Sequence, residues 1–405
     1  MTIALFSDSY LPTKSGIVTV VVQLREHLIK MGHRVILVTV NTTEDYTTDD
    51  PDIYRVHSVP LGMGTDQFMA LPAMHPLVHY LKDHGVEIIH CHTEFGVGKA
   101  GLRAARILRI PAICTTHTMW VDFYKYYLPH MQKLMRPAMV VSFMNHFYKK
   151  FHALIGVSVK ARNYYKQPDM IPQVPSVIIP NSIDSEKFLA KHASEEEKLA
   201  LRNQLGIAKD DIILLFVGRI GEEKRVIELL SVFQHVTKKN PKIKAVLVGN
   251  GPAYEELVYA ARNEILEKKI FFTGFIDWQK VHIYYETADI FVTTSLSEMH
   301  SMTILEAQMT GLPLVLRKDD SYLDSVYNGQ NGYLCDSERE MEKRILDLAN
   351  DTRKREQFSR RSLEITKKFT IESHVKKTLK VYEEVIKAYP GKIDEKKVMK
   401  MLEKI

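Results

Sequence analysis

The sequence predicts an α/β protein of two domains, each a parallel sheet covered by helices. Three observations lead there. Short apolar, β-branched runs alternate with stretches of helical periodicity along the chain, the mark of strand–helix–strand units. The alternation breaks at Pro180-Asn-Ser-Ile-Asp184, passes a charged stretch and restarts at Ile212. Finally, 405 residues with 45% hydrophobic content are too many for one ordinary domain and too apolar for a disordered chain. The expected boundaries are 1–190 for the first domain, 191–370 for the second, and 371–405 for a closing helix and basic tail.

Ile3 to Phe6 reads as the first strand, Ile17 to Met31 as a helix stopped by Gly32, and Val35 to Val40 as the next strand. Between the first two, the loop Asp8 to Gly16 puts Ser15-Gly16 where a helix begins. Backbone amides there can approach a diphosphate, although a glycine needed only for the turn reads the same way. Glu87 to Cys91 then Val97 to Leu108, Ala112 to Thr115, and Leu154 to Val157 then a helix from Lys160 continue the pattern. Polar residues collect at the strands' carboxyl ends, where parallel sheets bind ligands: His90, His92, Thr93 and Glu94 after one, Thr116, His117 and Thr118 after the next. These histidines lack a helical His-x3-His spacing or a cysteine pair, so no metal site is expected. The stretch from Tyr126 to Lys166 is rich in Tyr, Phe, Met, Lys and Arg. It suits a helix lying on a lipid interface, and equally a helix with a buried apolar stripe and basic edges.

In the second half Ser194 to Asn203 reads as a charged helix. Ile213 to Val217 is a buried strand, followed by Gly218 and by two cations, Arg219 and Lys224, before a helix from Val226. A diphosphate at a strand's carboxyl end needs such charges, the arginine fork giving paired hydrogen bonds and the lysine a point charge. Ala245 to Val248 with Gly249-Asn-Gly-Pro252, and Phe272-Thr-Gly-Phe-Ile276, repeat the strand-then-glycine order. Ile290 to Thr294 is a further buried strand, Ser295 to His300 a polar loop, and Ser301 the cap of a helix with Ile304, Leu305 and Met309 on one face. Gly311 to Pro313 ends that helix before Leu314 to Leu316. Glu298 in the loop and Glu306 within the helix are placed to address different parts of one long ligand. Ser301, Met302 and Thr303 supply a helix N-terminus whose free N–H groups attract phosphate. From Glu338 the chain is charged and helical, Phe369 to Tyr389 is the last long helix, and Gly391 to Ile405 a basic helical tail.

A net charge of +6 and an isoelectric point near 8.9 suit phosphate-bearing ligands or an anionic membrane surface and are too mild to specify nucleic acid. Cys91, Cys114 and Cys335 are too few and scattered for a disulfide framework, which fits a reducing compartment. The N-terminus has no basic region before its apolar run, and no stretch reaches the length of a transmembrane helix, so a cytoplasmic protein is expected.

The run Ser295-x-Ser-Glu298-x5-Ile-Leu-Glu306-Ala-x3-Gly311-x-Pro313 resembles the donor-site signature of retaining, nucleotide-sugar-dependent glycosyltransferases of the Glu-x7-Glu family (glycosyltransferase family 4 type). Gly218-Arg-x3-Glu-Lys224 resembles that family's second signature. The resemblance implies the GT-B fold, two Rossmann-like domains with parallel sheets facing a cleft, with the nucleotide sugar held mainly by the second and the acceptor by the first. It implies that Glu298 bonds sugar hydroxyls, that Glu306 bonds ribose hydroxyls, and that Arg219 and Lys224 neutralise the leaving diphosphate in place of a metal. Gly16 and Gly249 would approach the nucleotide, Phe275 and Ile276 line its base pocket, and Ser301, Met302 and Thr303 complete the donor site. His117 would sit beside the reacting sugar. The chain departs from the family at Ser301 and at Ser182, where glycine is usual. A serine in a left-handed turn at 182 would be strained. The reaction implied is metal-independent transfer of a hexosyl group with retention, the leaving phosphate taking the acceptor's proton, with no cofactor beyond the donor substrate.

A narrower resemblance lies in His92-Thr-Glu-Phe-Gly-Val-Gly98 and His117-Thr-Met-Trp-Val-Asp-Phe-Tyr-Lys-Tyr-Tyr127, followed by Arg136-Pro137. These pieces are similar to bacterial glycosyltransferases that glucosylate diacylglycerol at the membrane surface. They imply UDP-glucose as donor, diacylglycerol as lipid acceptor, an anionic membrane surface as partner, and Asp122, Tyr124, Tyr127 and Arg136 on the acceptor side. A soluble saccharide or a lipid-linked glycan as acceptor, or a non-catalytic nucleotide-sugar-binding protein, are the alternatives.

Overall fold

The computed structural model describes residues 1–13, 15–41, 49–60, 68–120, 136–171, 173–189 and 192–405. The chain divides into two compact units, Met1–Ser182 with Ile371–Ile405, and Ile183–Thr370.

The first unit opens with β1 (Thr2–Ser7), α1 (Gly16–Lys30) and β2 (Arg34–Val40). Ser15 caps α1 by accepting the Val18 N–H at 3.3 Å, and Gly32, at φ +85°, ends the turn beyond it. Next come β3 (Ile53–Val56), the antiparallel pair β4 (Ser58–Pro60) and β5 (Phe68–Ala70), α2 (Met74–Asp83), β6 (Ile88–Cys91), α3 (Gly96–Leu108) and β7 (Ala112–Thr116). α4 (Pro137–Tyr148), β8 (Ala153–Gly156), α5 (Val159–Tyr165) and β9 (Ser176–Ile178) complete this run. Seven strands form one parallel sheet in the order β3-β2-β1-β6-β7-β8-β9. Its strands are apolar on both faces because helices cover both.

The second unit contains α6 (Ser185–Phe188), α7 (Glu195–Leu205), β10 (Ile212–Val217), α8 (Val226–Lys239), β11 (Ile243–Val248), α9 (Tyr254–Ala260), α10 (Arg262–Leu266) and β12 (Ile270–Phe272). It continues with α11 (Trp278–Thr287), β13 (Ile290–Thr293), α12 (Met302–Met309), β14 (Leu314–Arg317), β15 (Gly332–Cys335), α13 (Glu338–Ala349) and α14 (Thr352–Thr366). Its six strands are parallel in the order β12-β11-β10-β13-β14-β15. α7 carries a full capping box, Ser194 accepting from the Glu197 N–H while the Glu197 side chain accepts from the Ser194 N–H.

The chain then returns to the first unit with α15 (Ile371–Ala388) and α16 (Glu395–Leu402). α15 lays Ile371, Val375, Leu379, Tyr382 and Val385 on the core that holds Ile3, Leu5, Leu24 and Ile113. α16 gives the basic tail a structural task. Val398 and Leu402 join the same core beside edge strand β9, and Glu395 accepts from Lys166 at 2.6 Å, from the Ser176 N–H at 2.8 Å and from Arg162. An edge strand is thereby covered.

Several expectations change here. Two of the cations in the aromatic stretch, Arg162 and Lys166, are committed to Glu395 and do not face outward as a free basic surface. Within that stretch α4 buries Val140, Met144, Phe147 and Tyr148 and exposes Met139, so it is a core helix with one wet face. Ser182 is absent from the left-handed residues among those described, so its side chain carries no such strain. α12 is buried nearly all round, with Glu306 and Gln308 inside as well as Ile304, Leu305 and Met309, because Gln308 donates to the Ser325 carbonyl at 2.6 Å and Glu306 has a tyrosine partner.

Candidate active site

Both sheets are doubly wound. From β1 the chain adds β2 and β3 on one side and β6 onward on the other, and from β10 it adds β11 and β12, then β13 onward. The crevice outside the carboxyl ends at such a switch point is where open α/β sheets take ligands.

At the β10–β13 switch point three glycine-bearing loops are tied backbone to backbone. The Gly218 N–H donates to Val248 O at 3.0 Å, the Gly249 N–H to Gly274 O at 2.9 Å, and the Ile220 N–H to Asn250 O at 3.0 Å. Gly249 is required there. Its φ is +137°, and a Cβ would stand 1.9 Å from the Gly218 carbonyl oxygen. Lys224 closes a short 3₁₀ turn, and the next residue, Arg225, is held left-handed at φ +54° by Thr294, whose Oγ1 donates to the Arg225 carbonyl at 2.8 Å. A left-handed arginine is strained backbone, of the kind that gathers at functional sites.

That turn aims Lys224 Nζ at Glu298, 2.5 Å from Oε1, while Ser295 Oγ donates to the same oxygen at 3.0 Å. The Ser295 carbonyl is in turn fixed by the buried Tyr322 hydroxyl at 2.7 Å. Two residues 74 apart in sequence thus meet in a largely buried ion pair. Arg219 lies half exposed and pairs with Glu223 at 3.1 Å, so the structure joins Lys224 to Glu298 and leaves Arg219 on a separate carboxylate. Ser301 takes the N-cap position of α12 without a capping hydrogen bond from its side chain, which instead lies 3.1 Å from Thr303 Oγ1. Met302 and Thr303 are half-buried at the first turn. Glu306 accepts the Tyr285 hydroxyl at 2.6 Å, and burial pushes its carboxyl up to about 7 against the pull of that hydrogen bond. Phe275 is exposed beside Gly274, and Ile276 packs on the core of this unit.

In the first unit Asp8 leaves β1 and caps α3 from 89 residues away, accepting the Val97 N–H at 2.8 Å and the Thr93 hydroxyl at 2.6 Å. Burial raises its pKa despite these hydrogen bonds. Gly16 is exposed at the first residue of α1. His117 follows β7 with Nε2 3.2 Å from His92 Nδ1, and burial, with the His374 imidazole second, pushes it down to about 3, so it is neutral at ordinary pH. Glu94 is buried between the Tyr148 hydroxyl at 2.6 Å and Trp120 Nε1 at 2.8 Å, and burial pushes its carboxyl up to about 7. Beside it the exposed Phe95 meets the edge of Trp120 and flanks Phe143, over whose ring Lys99 stands at 4.3 Å. Arg136 is exposed at the start of α4, while Asp122, Tyr124 and Tyr127 lie outside the described residues.

Asp8, Tyr285 and Arg225 carried no expectation from the sequence, and Glu94 only a place among the polar residues after its strand. The available signal was position alone, since Asp8 and Glu94 each follow the end of a strand at the switch point. Among the described residues no group of three or more His, Cys, Asp or Glu is placed to hold a metal, and no helix is long and apolar enough to cross a membrane.

Two doubly wound parallel-sheet domains, one carrying a lysine–glutamate pair and glycine loops at its switch point, define the class. The chain belongs to the GT-B glycosyltransferases, matching the family "Glycosyl transferases group 1" over residues 197–364 and "Glycosyltransferase Family 4" over residues 14–187. It is 32% identical over 348 residues to the alpha-monoglucosyldiacylglycerol synthase of Streptococcus pneumoniae, covering 86% of this chain and 78% of that one. With the synthase of the same name from Acholeplasma laidlawii it shares 28% identity over 401 residues, 98% of this chain and all of that one. Among solved structures, Anabaena HepE in complex with UDP-glucose superposes with a TM-score of 0.71 at 19% identity, covering 94% of this chain and 99% of that one. A sucrose-phosphate synthase from Thermosynechococcus elongatus gives 0.74 at 20% identity, with 96% and 99% covered.

Proposed function

We propose that this glycosyltransferase moves glucose from UDP-glucose to diacylglycerol at an anionic membrane surface, without a metal ion and with retention at the anomeric carbon. The observation that carries the reading is the Lys224–Glu298 pair at the β10–β13 switch point, supported by relatives named as diacylglycerol glucosylating enzymes along most of the chain.

In this reading the diphosphate draws Lys224 and Arg219 away from their carboxylates, and the uncapped first turn of α12, with Ser301, Met302 and Thr303, adds N–H groups. Glu298, released from the lysine, accepts hydrogen bonds from sugar hydroxyls, and Glu306 from the ribose. Gly249 lets the backbone come close to the nucleotide, Phe275 and Ile276 flank the base, and Gly16 contributes to phosphate binding. The bond from the anomeric carbon to the phosphate oxygen breaks as the acceptor oxygen bonds on the same face. The acceptor's proton passes to the departing phosphate, so Lys224 and Arg219 stabilise charge where it develops. His117 hydrogen-bonds a hydroxyl of the reacting hexose.

The first unit would hold the acceptor and touch the cytoplasmic face of the membrane. Phe95, Met139, Lys99, Arg136 and Lys149 are exposed in this unit, and each cation close to an anionic bilayer would add roughly 1 kcal/mol. Asp122, Tyr124 and Tyr127 belong to the same proposed acceptor side. Sedimentation with vesicles of graded phosphatidylglycerol content tests this. Binding should rise with anionic lipid, fall with salt and weaken on reversing Lys99 and Lys149 to glutamate. Binding indifferent to all three would favour a soluble saccharide acceptor.

A further inference from the structure

The histidine pair in the first unit fixes a proton. His92 is 1% exposed, and its Nδ1 lies 3.2 Å from His117 Nε2. The two rings are inclined by only 22° with centroids 5.5 Å apart, so they meet edge to edge through those nitrogens. His92 Nε2 is buried without a hydrogen-bond partner among the described residues. His90 next to it differs, its two nitrogens each 2.7 Å from a hydroxyl, Tyr382 on one side and Thr115 on the other.

Burial disfavours the charged form of both His92 and His117. A neutral imidazole carries one N–H, and the bond made by one nitrogen decides where it sits. Were His117 the donor, its Nε2 would hold the proton, and His92 would have to carry its own on Nε2, an orphaned N–H sealed in the core. Were His92 the donor through Nδ1, its buried Nε2 would be a bare lone pair, and His117 would carry its proton on Nδ1. Orphaned buried N–H groups are the rarer defect.

We propose that His92 is a positioning residue that locks His117 in its Nδ1–H tautomer, so that this imidazole presents a donor, and not an acceptor, to a hydroxyl oxygen of the bound hexose. The sugar contact rests on the function proposed above; the tautomer does not, and is read without substrate.

The experiment is NMR of the full chain labelled with ¹⁵N-histidine at pH 7, the His117 signals being assigned by their loss in His117→Gln. The expected pattern has a protonated Nδ1 and an unprotonated Nε2. His92→Asn, whose side-chain N–H can replace the Nδ1–H donor, should keep that pattern and hold kcat within about fivefold of the parent. His92→Leu should give mixed tautomers and a kcat at least tenfold lower, at a melting temperature near that of His92→Asn. Should His92→Leu not fold, the parent and His92→Asn spectra carry the test. A protonated Nε2 on His117 in the parent, or a pattern and kcat that His92→Leu does not move, overturns the proposal. Failure of the parent to use any nucleotide sugar would remove the proposed function and leave the NMR result standing.

Discussion

Replacing Glu306 by Gln should make the second unit more stable at alkaline than at acidic pH, relative to the parent. The carboxyl sits inside α12 against the Tyr285 hydroxyl, and burial lifts its pKa from the ordinary 4.5 to about 7. The folded state therefore binds the proton more tightly than the unfolded chain. Stability from this group is complete below pH 4.5 and is lost as pH rises toward and through 7. At about 1.4 kcal/mol per pH unit, the ionised form is penalised by about 3 kcal/mol above pH 7, and most of that develops between pH 5 and 8. Glutamine keeps an acceptor for Tyr285 and does not ionise. The advantage of Glu306→Gln over the parent should grow by about 2–3 kcal/mol across that range, or roughly 5–10 °C in melting temperature for a domain of this size. The chain has two tryptophans, Trp120 in the first unit and Trp278 in the second, so ¹⁹F NMR of 5-fluorotryptophan-labelled protein follows each unit's melting separately. An offset between variant and parent at the Trp278 resonance that is equal at pH 5 and pH 8 would show that Glu306 does not titrate in this way. Under the proposed ribose-binding role of Glu306, UDP affinity should fall about tenfold in the same variant.

Three further outcomes follow from the geometry. Arg219→Ala should lower turnover at least ~100-fold, the scale of losing one partner of developing charge, while melting falls by no more than a few degrees because the Arg219 end of its pair with Glu223 is half-exposed; steady-state kinetics beside a thermal melt checks both. Gly249→Ala should destabilise the second unit by about 2–4 kcal/mol, since its Cβ must displace the Gly218 carbonyl and its φ of +137° is hostile to alanine, and a urea titration of the Trp278 resonance reads it. Glu395→Gln should loosen α16 by about 1–2 kcal/mol at pH 7. Burial opposes ionisation of Glu395, yet Lys166, the Ser176 N–H and Arg162 outweigh it and lower its pKa, so parent and variant should converge as pH falls below 4.5 in amide-exchange measurements on β9.

What the sequence disclosed was local. The strand–helix alternation needs only neighbouring residues, and so do the two signatures, since Arg219 and Lys224 follow one strand and Glu298 and Glu306 follow another. That Lys224 meets Glu298 depends on β10 and β13 lying side by side, a fact of topology. Other features rest on pairs far apart in sequence: Asp8 capping α3, Glu94 between Tyr148 and Trp120, and Glu395 gathering Arg162, Lys166 and Ser176 across more than 200 residues. No periodicity reports them. β3, β4, β5 and α2 escaped because they are short and half-exposed, which weakens an alternation signal. α12 read as a one-faced helix because glutamate and glutamine count as exterior residues until a tyrosine and a carbonyl are found to satisfy them.

The most direct test is a transfer assay with purified protein, UDP-glucose and dioleoylglycerol in mixed micelles containing phosphatidylglycerol, run in excess EDTA and repeated with Lys224→Ala and Glu298→Gln. The expected product is a glucosyl diacylglycerol whose anomeric proton shows the small coupling of an α linkage, formed at the same rate with and without chelator and at least ~100-fold more slowly by either variant. A β-linked product, a rate that collapses in EDTA and returns with added metal, or variants as active as the parent would contradict this expectation.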